Sequence, residues 1–125
     1  MRVLLDTHIF LWAVAGSRKL PVAARRLMDS ADEVHVSAAS IWEIAIKANL
    51  GKLKVDPLQL AESIEASGFL ELPITAVHAA AVSRLGQLHG DPFDRLLIAQ
   101  ATMEPLRLIT ADEQLPQYSD LVVLV

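Results

Sequence analysis

The sequence predicts an α/β fold whose central, mainly parallel sheet is covered by helices on both faces. Short strands are apolar rather than two-faced, at Val3-Leu4-Leu5, Leu108-Ile109 and Leu121 to Val125. Stretches of helical apolar spacing lie between successive strands. The chain has 125 residues and is 53% hydrophobic, which suits one dense core but not two. Strands buried on both faces belong in parallel sheets, where the crossover helices supply the cover. A single domain over residues 1–125 is expected.

Taken in order, Val3-Leu4-Leu5 ends at Asp6, as a buried strand does on leaving the core at a polar edge, and a helical stretch follows. Pro21 suits the start of a helix through Met28. Glu33 to Ser37, EVHVS, alternates β-branched residues as a strand does. From Ser37 or Ser40 to Leu50 the apolar residues Ile41, Ile44, Ala45 and Ala48 are spaced for a helix, and Gly51 stops it. Asp56-Pro57 opens a helix that runs to Gly68, and Phe69 to Leu72 forms a third strand. Thr75 to about Leu88 is predicted helical, as is Pro92 to Met103. Arg107 to Ile109 is a strand, Thr110 to Leu115 a turn of helix, and Leu121 to Val125 the closing strand.

The composition narrows the chemistry. With no cysteine there is no disulfide, no thiolate metal site and no cysteine nucleophile, so any metal must use oxygen or imidazole. The apolar run ending in Ala13-Val14-Ala15 imitates a secretory signal, but Asp6 and His8 interrupt it. The uncharged remainder, Ile9 to Ala15, falls far short of the roughly 20 apolar residues a membrane span needs. A soluble cytoplasmic protein without membrane attachment is expected. The net charge of −4 argues against wholesale nucleic-acid binding but permits a local basic strip around an acidic centre. Arg18, Lys19, Arg25, Arg26, Lys47, Lys52, Lys54 and Arg95 are candidates for the strip, each with the plainer reading of a solvated helix face.

Four acids fall at strand-to-helix junctions. Asp6 ends the first strand, Glu43 lies in the first or second turn of the helix after the second, Asp94 opens the helix from Pro92, and Asp112 follows Leu108-Ile109-Thr110. In an open α/β sheet the carboxyl ends of the strands form the binding edge. Each acid also has an explanation as a cap. Ser40-Ile41-Trp42-Glu43 and Thr110-Ala111-Asp112-Glu113 both match the S/T-x-x-E capping box, and Asp91 before Pro92 is a natural N-cap. Capping does not require the four to converge. Asp91 as the cap leaves Asp94 available for another role. Carboxylates about 4 to 5 Å apart repel by roughly 3 to 4 kcal/mol per pair, so a convergent cluster needs protons or a cation. Hard oxygen ligands select Mg²⁺ or Mn²⁺ and suit phosphodiester hydrolysis.

The segments LLDTHIFLW, SAASIWEIAIK, DPFDRLLIAQA and LITAD occur in this order across nearly the whole chain. Together they resemble the PIN-domain family, and within it the VapC-type ribonuclease toxins of toxin-antitoxin pairs. The resemblance implies a PIN-like three-layer α/β/α sandwich and a Mg²⁺- or Mn²⁺-dependent ribonuclease. It also implies a homodimer and a cognate antitoxin whose C-terminal segment blocks the acidic site. The family's acidic pattern falls on Asp6, Glu43, Asp94 and Asp112. Asp6 is then the central metal ligand, Glu43 and Asp94 complete the site directly or through water, and Asp112 binds a second metal or orients water. Thr110 fits the Ser or Thr that the family carries near its last Asp, and equally fits a cap. Thr7 is a candidate for substrate contact.

His8 is expected in polar packing and His89 at the surface; Trp12 and Trp42, on apolar helix faces, are expected in the core. Two rival readings use the same opening strand. A haloacid-dehalogenase-like phosphatase requires a second Asp two residues after Asp6, where this sequence has His8. A non-catalytic Mg-binding receiver or scaffold module usually requires an acidic pair beside the first strand, which is absent.

Overall fold

The computed structural model describes residues 1–86 and 90–125, so the surface position expected for His89 lies outside the described residues. Among the described residues five strands, β1 (Arg2–Leu5), β2 (Glu33–Ser37), β3 (Leu70–Leu72), β4 (Arg107–Thr110) and β5 (Val122–Leu124), pair in the order β3-β2-β1-β4-β5. Every pairing is parallel. The helices are α1 (Thr7–Val14), α2 (Val22–Ser30), α3 (Ala38–Asn49), α4 (Pro57–Ala66), α5 (Ala76–Ala81) and α6 (Pro92–Met103). The expected α/β class and covered parallel sheet are what the chain adopts. Among the described residues no helix is long and apolar enough to cross a membrane.

Alternation along the strands sorts the core into two layers. Val3, Leu5, Val36 and Ile109 point to one face and pack with Ile9, Phe10, Ala24, Ile44 and Ile64, so α1 to α4 contribute there. Leu4 and Leu108 point to the other face and pack with Leu97, Ile98 and Ala101 of α6. The three residues Val3 to Leu5 have no exposed surface, which is why β1 reads as an unbroken apolar run. The chain builds outward from β1 through β2 to β3, then returns to add β4 and β5 on the other side. Strand order therefore reverses between β1 and β4, and the crevice beyond their carboxyl ends is where such sheets bind ligands.

Buried polar groups tie α6 to this sheet. Ser37 Oγ, at the end of β2, donates to Gln100 Oε1 at 2.5 Å, and Gln100 Nε2 donates to the Pro73 carbonyl at 3.2 Å. Both side chains are fully buried. Gln100→Leu is therefore expected to destabilise the fold by about 1 to 3 kcal/mol, read by urea denaturation, because it removes the acceptor for the buried Ser37 hydroxyl proton and the donor to the Pro73 carbonyl. An unchanged midpoint would show that relaxation or water satisfies them.

Two elements depart from the sequence prediction. The helix expected from Thr75 to about Leu88 is α5, six residues long, followed by a 3-10 turn at Val82–Arg84; residues 87 and 88 of the expected helix lie outside the described residues. The Arg95 guanidinium caps that early end, donating to the carbonyl of Gly86 at 2.6 Å and to those of Val82 and Leu85 at 3.4 Å. Arg95 thus serves the fold rather than a basic strip. The helical turn expected over Thr110–Leu115 comes later, as a 3-10 turn at Leu115–Tyr118, because the Thr110 and Asp112 side chains fold the intervening backbone into hydrogen-bonded turns.

Candidate active site

Asp6 stands at the switch point. Its backbone N–H donates to the Ile109 carbonyl at 2.9 Å, continuing the β1–β4 ladder for one more residue. Its carboxylate caps α1, Oδ1 accepting from the Thr7 N–H at 2.8 Å, and Oδ2 accepts the Thr110 hydroxyl at 2.6 Å. Each oxygen keeps a further lone pair. The residue is only 7% exposed. Burial, reinforced by the nearby Glu43 charge, pushes the Asp6 carboxyl above the ordinary carboxylate range despite the two hydrogen bonds.

Glu43 is not the end of a capping box. Ser37 caps α3 by accepting the Ala39 N–H at 3.0 Å, so Ser40 and Glu43 are interior residues of the helix. Glu43 Oε1 lies 2.8 Å from Thr7 Oγ1, which in turn lies 2.9 Å from Ser40 Oγ. An ionised carboxylate only accepts, so the single Thr7 proton goes to Glu43 and Ser40 donates to Thr7. Glu43 Oε2 takes the Lys47 ammonium at 2.6 Å, four residues on along α3. The hydrogen bond to Glu43 raises the Lys47 pKa above its ordinary value, with weaker support from the charges of Asp91 and Asp94. Thr7, expected to touch substrate, is 2% exposed and spends its hydroxyl on orienting Glu43.

Asp91 is the cap that the sequence suggests. Asp91 Oδ1 accepts the N–H groups of Phe93 at 2.9 Å and Asp94 at 3.1 Å, which makes Asp91 the cap of α6. Asp94 lies in the first turn. Thr110 caps no helix; its Oγ1 donates to Asp6 and accepts the Asp112 N–H at 3.0 Å, closing a turn after β4. Asp112 Oδ1 accepts from the Gln114 N–H at 2.9 Å.

An open cleft of about 380 Å³ brings these residues together; Asp6, Glu43, Asp94 and Asp112 line it with Asp91 and Lys47. His8 and Trp12 form its other wall, their rings 5.8 Å apart and tilted by 43°. His8 is exposed rather than packed, because Asp6 turns the chain and leaves the second residue of α1 facing the cleft. Trp12 is half-buried against the core and also faces the cleft. Trp42 departs further from expectation. It is 57% exposed and meets Phe93 edge-on at 5.0 Å, since Ile41 and Ile44 already fill the core side of α3. Among the described residues no three His, Asp or Glu side chains are gathered tightly enough to cage a metal as they stand. In donor chemistry the cleft suits a hard divalent cation, because it offers several carboxylate oxygens, those of the buried Asp6 among them. Lys47 was legible only as one of several basic residues, although its Glu-to-Lys spacing of four was the signal for a pair.

The chain matches the PIN-domain model over residues 3–121. The chain belongs to the PIN-domain family. Within it the likeness is to the VapC type: Ribonuclease VapC22 of Mycobacterium tuberculosis is 35% identical over 119 residues, covering 90% of this chain and 88% of that protein. Two solved structures share the fold. A toxin-antitoxin complex from Klebsiella pneumoniae superposes with a TM-score of 0.67 at 19% identity, over 97% of this chain and 95% of that one. VapBC2 from Rickettsia felis, bound to a DNA fragment from the promoter, gives 0.69 at 18% identity, over 100% and 98%.

Proposed function

We propose that the protein is a Mg²⁺- or Mn²⁺-dependent endoribonuclease and the toxin of a toxin-antitoxin pair. The observation that carries the reading is Asp6, a buried carboxylate at the β1–β4 switch point, oriented through both oxygens and facing a cleft shared with Glu43, Asp94 and Asp112. The 35% identity to a protein named as a ribonuclease supports the activity. Asp6 is the central ligand, Glu43 and Asp94 complete the set, and Asp112 binds a second ion or orients water. When bound, the cation supplies Lewis acidity at the phosphodiester and makes water a better nucleophile. The chain's own part is positioning: Thr110 and the Thr7 N–H fix Asp6, and the Thr7 hydroxyl fixes Glu43.

The pairing with an antitoxin draws on the toxin-antitoxin neighbours and on a surface suited to a partner. Trp42 and Ile46 on α3, Leu50 just after it and Leu58 on α4 are exposed, and Trp42, Ile46 and Pro57 line a shallow apolar cleft. A homodimer and a cytoplasmic location complete the proposal. Purified protein is expected to cut RNA with added Mg²⁺ or Mn²⁺ and to stop in excess EDTA. Undiminished cutting in EDTA would end the metal reading, and full activity in the presence of the protein encoded by the neighbouring gene would end the assignment of that protein as antitoxin.

A further inference from the structure

Lys47 sits where a cation is needed. Its ammonium lies 2.6 Å from Glu43 Oε2, while the Thr7 hydroxyl holds Oε1 at 2.8 Å. The Glu43 side chain is 7% exposed and that of Lys47 is 35% exposed, so a carboxylate fixed in the wall is met by an ammonium arriving from the open side. Asp91 and Asp94 face the same cleft. The Glu-to-Lys spacing is that of an ordinary helix-surface pair, but a pair that served only the helix would place both groups in solvent. Here one partner is buried and the contact opens into the cleft. An oxygen that holds an ammonium at 2.6 Å cannot also hold a dication at ligand distance without bringing two cations within about 4 Å, where they repel.

We propose that Lys47 is the built-in counter-cation of the acidic cleft: it neutralises Glu43 until a divalent ion enters, competes with that ion for Oε2, and once displaced contacts a backbone phosphate of the RNA. The inference rests on the metal-dependent ribonuclease reading above. A flexible four-carbon stem anchored on α3 lets the ammonium leave Glu43 without moving the helix, and it remains at the cleft mouth when it does. The geometry separates this role from simple propping. If Lys47 only held Glu43 in place, its removal would weaken metal binding; as a competitor, its removal strengthens it.

Mn²⁺ binding, followed by electron paramagnetic resonance without RNA, reads the difference. Lys47→Met and Lys47→Gln are each expected to bind Mn²⁺ roughly three- to tenfold more tightly than the parent. Lys52→Met, which removes an exposed charge away from the cleft, should leave the affinity unchanged. At saturating Mn²⁺, both Lys47 variants should bind a slowly cut phosphorothioate RNA more weakly, with the slope of log K against log salt reduced by about 0.7, one single-strand phosphate contact. Weaker or unchanged Mn²⁺ binding in both Lys47 variants would overturn the counter-cation, and an unchanged salt slope would overturn the contact with RNA. A parent protein that takes up no Mn²⁺ would overturn the metal reading itself, a result read on the unaltered chain.

Discussion

Asp6→Asn is expected to abolish RNA cleavage, lowering turnover on the order of a thousandfold or more, while the metal-free protein becomes more stable near neutral pH. Asparagine has nearly the same shape, its oxygen still accepts the Thr7 N–H, and the Thr110 hydroxyl can turn to accept from the new amide. What changes is the charge. Burial first, and the Glu43 charge after it, hold the folded-state pKa of Asp6 above the unfolded one. A carboxyl of that kind contributes stability that is fully present below the ordinary carboxylate range and is lost as pH rises through the folded value. The advantage of the Asn variant should therefore be absent in acid, emerge above the ordinary carboxylate range and persist at neutral pH. Adding Mg²⁺ should reverse the order, since a ligand at a hundred times its Kd stabilises the parent by about 2.7 kcal/mol, and the variant forfeits most of this. Urea denaturation from acid to neutral pH, with and without Mg²⁺, measures both parts. A variant less stable than the parent at neutral pH without metal would show that the hydrogen bonds of Asp6 outweigh its buried charge, and parental cleavage would remove Asp6 from the mechanism.

The strands were legible because burial on both faces leaves a pattern that solvent exposure cannot imitate. Val3 to Leu5 is apolar throughout since each of its faces meets a separate layer of the core. Features set by side chains from distant segments were not legible. The turn after α5 is held by Arg95, nine residues or more beyond the carbonyls it binds. Local motifs misled where two starts competed. Ser40 to Glu43 spells a capping box, yet Ser37 caps the helix one turn earlier, which moves Glu43 into the helix interior and aims it at Thr7. The exposure of Trp42 was hidden for a related reason: periodicity names an apolar stripe, but not which of its residues lies beyond the edge of the core. That Asp6, Glu43 and Asp112 would share one cleft followed from topology, because they come after the carboxyl ends of β1, β2 and β4, whereas Asp94 opens α6, which follows α5 rather than a strand, and joins them through the fold. Their hydrogen-bond partners, Thr7 and Thr110 above all, needed the fold.

Asp91→Asn and Asp94→Asn are expected to diverge although the two carboxylates are three residues apart and face the same cleft. Asp91 accepts two backbone N–H groups at the start of α6, a task asparagine performs as well at an N-cap, so Asp91→Asn should change stability by only a few tenths of a kcal/mol and leave the Mg²⁺ increment largely intact. Asp94→Asn has opposing effects without metal. It relieves repulsion within the acidic cleft, but it removes a charge that favours the positive end of α6 and the Lys47 ammonium. These effects should nearly cancel, leaving a small shift in the metal-free protein. With Mg²⁺ nothing offsets the lost ligand. Each tenfold rise in Kd removes about 1.4 kcal/mol from the stabilisation that saturating metal provides, and cleavage should fall on the order of a hundredfold. Paired denaturation curves for the two variants, with and without Mg²⁺, give both increments in one experiment. An Asp94→Asn increment equal to that of the parent, beside a reduced one for Asp91→Asn, would exchange the roles and make Asp91 both cap and ligand.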